Sequence, residues 1–342
     1  MKRQSRLTLA GLVACTAFAT GANAAEKVTW NLSVWGNARA VTAGIETMRD
    51  ELAEKTDGKF DINIGYGETL SPAKENIDAI KIGVIEAAQF CPSYGPGKVP
   101  AWTVLDLPFL PTPTLDAEIA VHEAFYDNEY AKKDMARWSA KPLMSTALPQ
   151  YEFMGTGKPP TELDDWKGLR VRALGGIGDA MIQLGAIPTT VTAPEIYTGL
   201  ERGMFQAASF PFADSFGAFR LDEVSNWYTY NMHVGTLGCQ FIMSQAAWDG
   251  LPAEYQQLLM DAKPRAYEAL KAAYKAGDDE YVPCFDERGL TRIVYTPEQI
   301  EKLREIAAKP VWEAWIKDVD AKGIPGQELL DYVLEAAKKA GS

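Results

Sequence analysis

The chain has 342 residues, of which 47% are hydrophobic and 23% are charged, and its formal net charge is −12. The excess of Asp and Glu argues against nucleic-acid binding, because contacts with phosphates need clusters of Lys and Arg. A chain of this length exceeds the usual size of one hydrophobic core, so we expect two lobes.

Residues 1–24 have the pattern of a secretory signal peptide. Basic residues stand at the start, residues 7–21 are apolar, and residues 22–24 read Ala-Asn-Ala, so we expect cleavage after Ala24. Cleavage leaves 31 basic and 46 acidic residues, a net charge of −15. Residues 12–15 also resemble a lipobox, which would leave a lipidated Cys15, but the apolar stretch would then be very short. We expect an exported chain with no stable membrane insertion, because no later segment could span a bilayer.

The first part of the mature chain alternates strands and helices. Period-two and helical-period apolar patterns predict strands over residues 28–34, 60–64 and 85–90, and helices over 41–52 and 77–82. The order βαβαβ indicates a mostly parallel sheet with helices on its faces.

A second unit of similar size begins near residue 143. The patterns predict strands over residues 143–148, 169–173 and 204–210 and a helix over 175–184, and Thr192 and Glu195 form a capping box that starts another helix. Two successive α/β units are typical of a two-lobed fold with a cleft between the lobes.

The last third of the chain is predicted to be mainly helical. Apolar stripes lie over residues 255–262 and 270–274 with Pro264 between them, which indicates either one kinked helix or two helices. Thr296 and Gln299 form a capping box at the start of another helix.

Three cysteines follow the signal peptide: Cys91, Cys239 and Cys284. They allow at most one disulfide and one free thiol, and their spacing does not say which pair would bond.

Motifs of enzymes are incomplete in this sequence. His122 and His233 are its histidines, and Tyr126 stands where a zinc helix starting at His122 needs its second His. Residues 155–158 end like a phosphate loop, but Pro159 replaces the hydroxyl residue that would hold magnesium. No nucleophile elbow of the Gly-x-Ser-x-Gly type occurs. No constellation of residues therefore proposes catalysis, and a periplasmic α/β hydrolase or isomerase, which would need a nucleophile–base pair, stays an alternative.

Five segments together resemble the solute-binding subunits of TRAP transporters, the DctP-type family. They read DLPFL at 106–110, LDDWKGLRVR at 163–172, LGAIP at 184–188, PEIYTGLERG at 194–203 and WDGLP at 248–252. The resemblance covers nearly all of residues 27–315.

The resemblance implies a periplasmic-binding-protein-like α/β fold, each lobe a mostly parallel sheet flanked by helices, with a helical C-terminal third. We expect lobe I to comprise residues 25–149 and about 239–265, and lobe II residues 150–238 and about 266–342. Such a protein is a periplasmic receptor that delivers its solute to a membrane permease and needs no cofactor. A receptor of the same fold that feeds a sensor protein instead is an open alternative.

The resemblance places the family's shared, carboxylate-binding arginine at Arg172. The residues support this, because Arg172 ends a predicted parallel strand, where ligands bind in open α/β sheets. Its planar guanidinium can meet a carboxylate or sulfonate with two hydrogen bonds. Arg170 would lie deeper in the strand, and the alternative role for Arg172 is a structural salt bridge.

Other candidate binding residues follow strand ends and carry aromatic or amide side chains, each of which could equally serve in ordinary packing. They are Trp35, Asn37, Tyr94, Gln150, Tyr151, Phe210 and Phe212.

One position departs from the family pattern. Ser209 stands where the α-keto-acid branch has a metal-binding Glu, so we predict that no metal takes part. The adjacent Phe210 favours a small organic anion with an apolar or aromatic part over a plain C4-dicarboxylate. A quaternary or sulfonium cation packed on the same rings is a further option.

Overall fold

The computed structural model describes residues 27–341. The predicted signal peptide and Cys15 lie outside the described residues. Its strands are β1 (Val28–Ser33), β2 (Phe60–Gly65), β3 (Ala87–Phe90), β4 (Ala140–Ser145), β5 (Glu152–Gly155), β6 (Arg170–Arg172), β7 (Ile187–Thr189), β8 (Ala207–Phe210), β9 (Trp227–Thr229), β10 (Gln240–Ser244) and β11 (Thr291–Ile293).

Helices cover the faces of the strands and make up most of the last third of the chain. They are α1 (Ala43–Lys55), α2 (Asn76–Lys81), α3 (Leu115–Phe125), α4 (Glu129–Arg137), α5 (Gly175–Gln183), α6 (Ile196–Glu201), α7 (Gln245–Asp249), α8 (Ala253–Glu287), α9 (Pro297–Asp320) and α10 (Gly326–Ala340). None of these helices is both long and apolar enough to cross a membrane, as far as residues 27–341 are concerned.

The strands form two mixed sheets. The first is five-stranded in the order β2-β1-β3-β10-β4, and the second is six-stranded in the order β11-β9-β5-β8-β6-β7. In the first sheet β10 runs antiparallel to both neighbours, and in the second β5 does so. The remaining pairs are parallel, so the expected α/β architecture of mostly parallel sheets is confirmed.

The chain crosses between the sheets twice in the region of these antiparallel strands. Residues 146–151 lead from β4 to β5, and residues 230–239 lead from β9 back to β10. The two crossings run side by side, joined by backbone hydrogen bonds from Thr146 N to Cys239 O (3.1 Å) and from Tyr151 N to Gly235 O (2.9 Å). These paired crossings connect the two sheets.

The predicted amphipathic faces and caps are present. Ile45, Met48 and Leu52 of α1 are buried against the first sheet. The predicted capping boxes at Thr192 and Thr296 both form, the second with the Gln299 amide as its partner.

The segment around Pro264 forms one long helix, α8, rather than two helices, because the helix continues through this proline. A proline in a helix interior removes one backbone hydrogen bond. Packing holds the helix together, because α8 lies against α1 on the side of the first sheet and against the π-helical turn Phe212–Gly217 that follows β8. The long helix thus joins the two halves of the fold.

Strand boundaries and short strands differ from the sequence prediction. Strand β4 ends at Ser145 because the next residues form the crossing, and β8 starts at Ala207 because residues 203–206 form a turn. Five strands of three to five residues, β5, β7, β9, β10 and β11, were not predicted. Segments this short contain too few residues to show a clear alternation, and their pairing partners are distant in sequence.

A disulfide joins Cys91, directly after β3, to Cys239, directly before β10, and leaves Cys284 as a free thiol. The bond fixes one crossing segment to the end of a central strand of the first sheet. The last helix, α10, packs against α3 and the segment Pro100–Asp106. The division into lobes at the residues given above stays a prediction.

Candidate functional site

Arg172 is the last residue of β6, a strand that lies between β8 and β7. Its side chain is buried, with an exposed fraction of 0%. Nε donates to the carbonyl of Val191 (3.1 Å) and Nη1 to that of Ser209 (3.2 Å), whereas Nη2 has no hydrogen-bond partner within residues 27–341. The guanidinium is therefore held in place and still has donor capacity to spare.

No carboxylate neutralises this buried charge within the described part of the chain. Burial lowers the pKa of Arg172, and the nearby Tyr94 and Tyr151 oppose that shift. Glu195 attracts the guanidinium from beyond ion-pair distance and itself accepts a hydrogen bond from Thr192 N (2.9 Å). The salt bridge considered as the alternative role of Arg172 is absent among residues 27–341.

Aromatic rings surround the guanidinium and a small cavity next to it. The Cζ atom of Arg172 lies 4.4 Å from the centroid of the Phe210 ring. Tyr151 packs on the same ring at 6.3 Å, and Trp35 meets Tyr94 edge to face at 5.4 Å.

These four aromatic residues line a cavity of about 20 Å³ between the two sheets, enough for about one water molecule. Trp35 and Tyr94 come from the first sheet's side, Phe210 from the second, and Tyr151 from a crossing. Arg172 does not line the cavity itself. Its guanidinium contacts the ring of Phe210, which does. An organic acid can enter only if the sheets or side chains move apart.

Three candidates from the sequence do not reach this cavity. Asn37 is exposed, and its carbonyl accepts a hydrogen bond from Arg39 Nη1 (3.0 Å). Gln150 donates its amide to the carbonyl of Thr112 (3.0 Å). Phe212 stacks on Tyr230 with centroids 5.8 Å apart.

Four polar residues that sequence reasoning missed line the cavity: Arg39, Gln89, Asp214 and Ser215. Arg39 Nε lies 3.2 Å from Asp214 Oδ1, an ion pair without an aligned hydrogen bond, and Val41 N donates to the same oxygen (3.1 Å). Gly36 makes room for this pair, because a Cβ on its positive-φ backbone (+72°) would stand 3.1 Å from Arg39. The sequence signal for Arg39 was its position, two residues after the candidate Asn37.

A further hydrogen bond crosses between the sheets at this place, from Ala193 N to the Tyr94 hydroxyl (3.1 Å). Burial raises the pKa of Tyr94, so the hydroxyl that accepts this bond stays neutral.

Residues 33–318 match the model of the DctP family, described as bacterial extracellular solute-binding protein, family 7. The chain belongs to this family. The resemblance found in the sequence is thereby confirmed, and the family consists of binding proteins rather than enzymes.

Relatives of this solute-binding protein include the C4-dicarboxylate-binding periplasmic protein DctP of Rhodobacter capsulatus. It is 28% identical over 281 residues, which are 77% of this chain and 82% of the relative.

Among solved structures, a marine metagenome TRAP solute-binding protein specific for aromatic acid ligands, in complex with 3-hydroxybenzoate, superposes with a TM-score of 0.81 at 19% identity, covering 93% of this chain and 100% of that one. A TRAP solute-binding protein of Rhodoferax ferrireducens with copurified benzoate gives a TM-score of 0.81 at 20% identity, covering 92% and 99%. These likenesses show the fold.

Three buried carboxyl groups anchor the crossings of this solute-binding protein: Asp106, Glu118 and Glu152. Each accepts backbone hydrogen bonds from a crossing, Asp106 from Gly238 (2.8 Å), Glu118 from Leu148 (3.1 Å), and Glu152 from Met232 and His233 (3.0 Å each). Desolvation by burial raises their pKa, to about 7 for Asp106, about 8 for Glu118 and about 7 for Glu152. The paired crossings therefore contact carboxyl groups that keep a proton at higher pH than ordinary carboxyl groups do.

His122 of this solute-binding protein is a satisfied helix residue. Its Nδ1 lies 2.7 Å from Ser145 Oγ, and burial lowers its pKa to about 3. Among residues 27–341 no group of three or more His, Cys, Asp or Glu side chains could hold a metal ion.

A wider groove of about 760 Å³ lies on the outer side of the first sheet, between α4, β4 and α8. Two of its lysines are neutralised, Lys263 by Glu123 (2.5 Å) and Lys132 by Asp127 (2.9 Å). No residue of the second sheet lines this groove, so movement of the two sheets toward each other would not enclose a solute bound in it. The smaller cavity, in contrast, is lined by residues from both sides.

Proposed function

We propose that this protein is exported through its N-terminal signal peptide and captures a small monoanionic organic acid with an apolar or aromatic part. It holds the solute between two lobes, built on the two sheets and divided as the sequence predicts, and delivers it to the membrane permease subunits of a TRAP transporter. The buried, unpaired guanidinium of Arg172 beside the aromatic cavity is the observation that carries this proposal.

The charges around the cavity favour a single negative charge on the solute. Among the described residues Arg172 has no carboxylate partner, whereas Asp214 neutralises Arg39. The site therefore has one positive charge in excess, and a second carboxylate on the solute would find no cation left to neutralise it.

The guanidinium can supply much of the affinity. Each hydrogen bond between a charged donor and a carboxylate contributes about 1.5–3 kcal/mol, so two of them contribute about 3–6 kcal/mol. Micromolar binding requires about 8 kcal/mol. Burial of the apolar part against Trp35, Tyr151 and Phe210 would contribute the rest.

The walls of the cavity favour an aromatic solute. Trp35, Tyr94, Tyr151 and Phe210 offer ring faces and edges, against which another ring can stack or pack edge to face. Two structures of the same fold carry benzoate and 3-hydroxybenzoate, which agrees with this choice although sequence identity is low.

A thermal-shift screen followed by calorimetric titration tests the proposal. Benzoate-type monoanions should raise the melting temperature by mass action, while the neutral matched compound benzamide should not, and succinate should bind more weakly than benzoate. Addition of a chelator should change none of these shifts. Stabilisation by neutral sugars alone, or by benzamide as much as by benzoate, would contradict the proposed solute class.

A further inference from the structure

Gln89 is a polar side chain buried in the wall of the cavity without a partner for its acceptor. It belongs to β3, its exposed fraction is 1%, and its Oε1 atom makes no hydrogen bond with any residue that the structure describes. In a strand, alternate residues share a face. Gln89 and Cys91 accordingly both line the cavity, whereas Phe90 between them packs in a separate apolar core.

The neighbouring cation does not satisfy this acceptor. Arg39 directs Nη1 to the carbonyls of Trp35 (2.8 Å) and Asn37 (3.0 Å). A buried acceptor without a donor is unfavourable. A solute that brings a donor would remove this cost, and an otherwise similar solute without one would leave it in place.

Gln89 and Arg172 approach the solute space from opposite sides, since Gln89 belongs to the first sheet and Arg172 to the second. A carboxylate bound by Arg172 would leave the far end of an aromatic acid near the first sheet. A hydroxyl at that end would reach the Gln89 acceptor only when the two sheets close on the solute.

We propose that Gln89 is a specificity-determining residue that accepts a hydrogen bond from a hydroxyl group of the solute, and that the preferred solutes are hydroxylated aromatic monocarboxylates. This inference rests on the proposed function. The amide oxygen of Gln89 can accept a hydrogen bond from a hydroxyl group, whereas a second carboxylate on the solute has no hydrogen to donate to it.

Calorimetric titration of benzoate and of 2-, 3- and 4-hydroxybenzoate tests this. The wild-type protein should bind at least one hydroxybenzoate about tenfold or more tightly than benzoate, since a site that offers a hydrogen bond rejects the analogue lacking it. In Gln89→Leu and in the unbranched Gln89→Met the preference should fall to about twofold or less, because the affinity for the hydroxybenzoate falls toward that for benzoate. Gln150→Leu is the matched control, because its amide turns away to Thr112, and it should keep the wild-type preference.

An unchanged preference in both Gln89 variants, or no preference in the wild-type protein, would overturn the inference and leave the proposed function intact. Failure of the wild-type protein to bind benzoate or any hydroxybenzoate would overturn it too. The broader screen of organic acids then decides separately whether the proposed function also fails. Melting curves of the variants show whether each is folded, and the two replacements give independent results.

Discussion

Arg39 and Asp214 form an ion pair across the two sheets, with Nε and Oδ1 3.2 Å apart and both side chains almost fully buried. Arg39 follows β1 of the first sheet, and Asp214 lies in the π-helical turn after β8 of the second. The pair thus connects the two halves of the fold at the edge of the cavity and cancels one of its two positive charges.

Replacing Asp214 with Asn should shift the solute preference toward dianions. The Asn oxygen can still accept from Val41 N, but the charge that neutralises Arg39 is lost. Two cations then face the solute, so the affinity ratio of succinate to benzoate should rise about tenfold, equivalent to about 1.4 kcal/mol. Titration calorimetry at constant ionic strength measures this ratio.

Asp222→Asn is the control for this change, because Asp222 pairs with Arg288 (2.8 Å) and does not line the cavity. It should leave the ratio at the wild-type value. An equal ratio in wild type and Asp214→Asn would show that the charge count at the cavity does not select the solute.

Replacing Arg172 with Met should abolish binding of organic anions while leaving the fold intact. Met fills most of the space of the arginine stem, and the loss of charged hydrogen bonds should weaken binding about a hundredfold or more. The melting temperature without solute should change little, because removal of a buried unpaired charge offsets the lost bonds to Val191 and Ser209. Titration and differential scanning calorimetry give the two readouts.

Arg170→Met serves as the comparison for Arg172→Met. Arg170 is exposed and donates to the carbonyls of Met204 and Gly203 (3.0 Å each), so its loss should leave affinity nearly unchanged. A steep fall in melting temperature for Arg172→Met, or retained binding, would argue for a purely structural arginine.

Stability should fall as pH rises toward 8, because of the carboxyl groups at the crossings. Burial raises the pKa of Glu118 to about 8 in the folded protein, compared with about 4.3 in an unfolded chain. Between these two pKa values the folded protein keeps the proton on Glu118, whereas the unfolded chain does not. The free energy of unfolding therefore decreases as pH rises through this interval. Glu118→Gln stays neutral, so its free energy of unfolding relative to wild type should increase by up to about 1.4 kcal/mol per pH unit between pH 5 and 8.

Urea denaturation at several pH values measures this difference. Glu301→Gln, in which an exposed carboxylate of α9 is replaced, provides the reference for loss of a surface charge and should show no comparable trend. If the free energies of unfolding of Glu118→Gln and wild type also differ by the same amount at every pH, Glu118 is ionised in the folded protein.

Loss of the Cys91–Cys239 bond should destabilise the protein by about 2–5 kcal/mol, the usual cost of removing a native disulfide. Cys91→Ser should show this loss in urea denaturation, and Cys284→Ser should not, since Cys284 is the free thiol. Alkylation of the native protein without reductant should modify one thiol. Modification of all three, or equal stability of Cys91→Ser and wild type, would contradict the bond.

The candidate site was predictable from the sequence only where a residue type and a strand end coincide. Arg172 and Phe210 end predicted strands, and the structure brings them within 4.4 Å. Asn37 and Gln150 satisfied the same criterion and do not reach the cavity. Gln89 and Asp214 gave no signal, because their positions at the cavity depend on how β3 pairs and how the turn after β8 is wound.

The sequence alone determined the order of strands and helices, the parallel character of the sheets, the caps at Thr192 and Thr296, and the family, because hydrophobic periodicity, capping chemistry and motifs are local properties of the chain. Tertiary structure decided that β5 and β10 run against their neighbours, that Cys91 bonds Cys239, that α8 passes through Pro264 unbroken, and that Arg39 meets Asp214. Each of these depends on residues far apart in sequence, whose approach is fixed by packing and pairing rather than by local pattern.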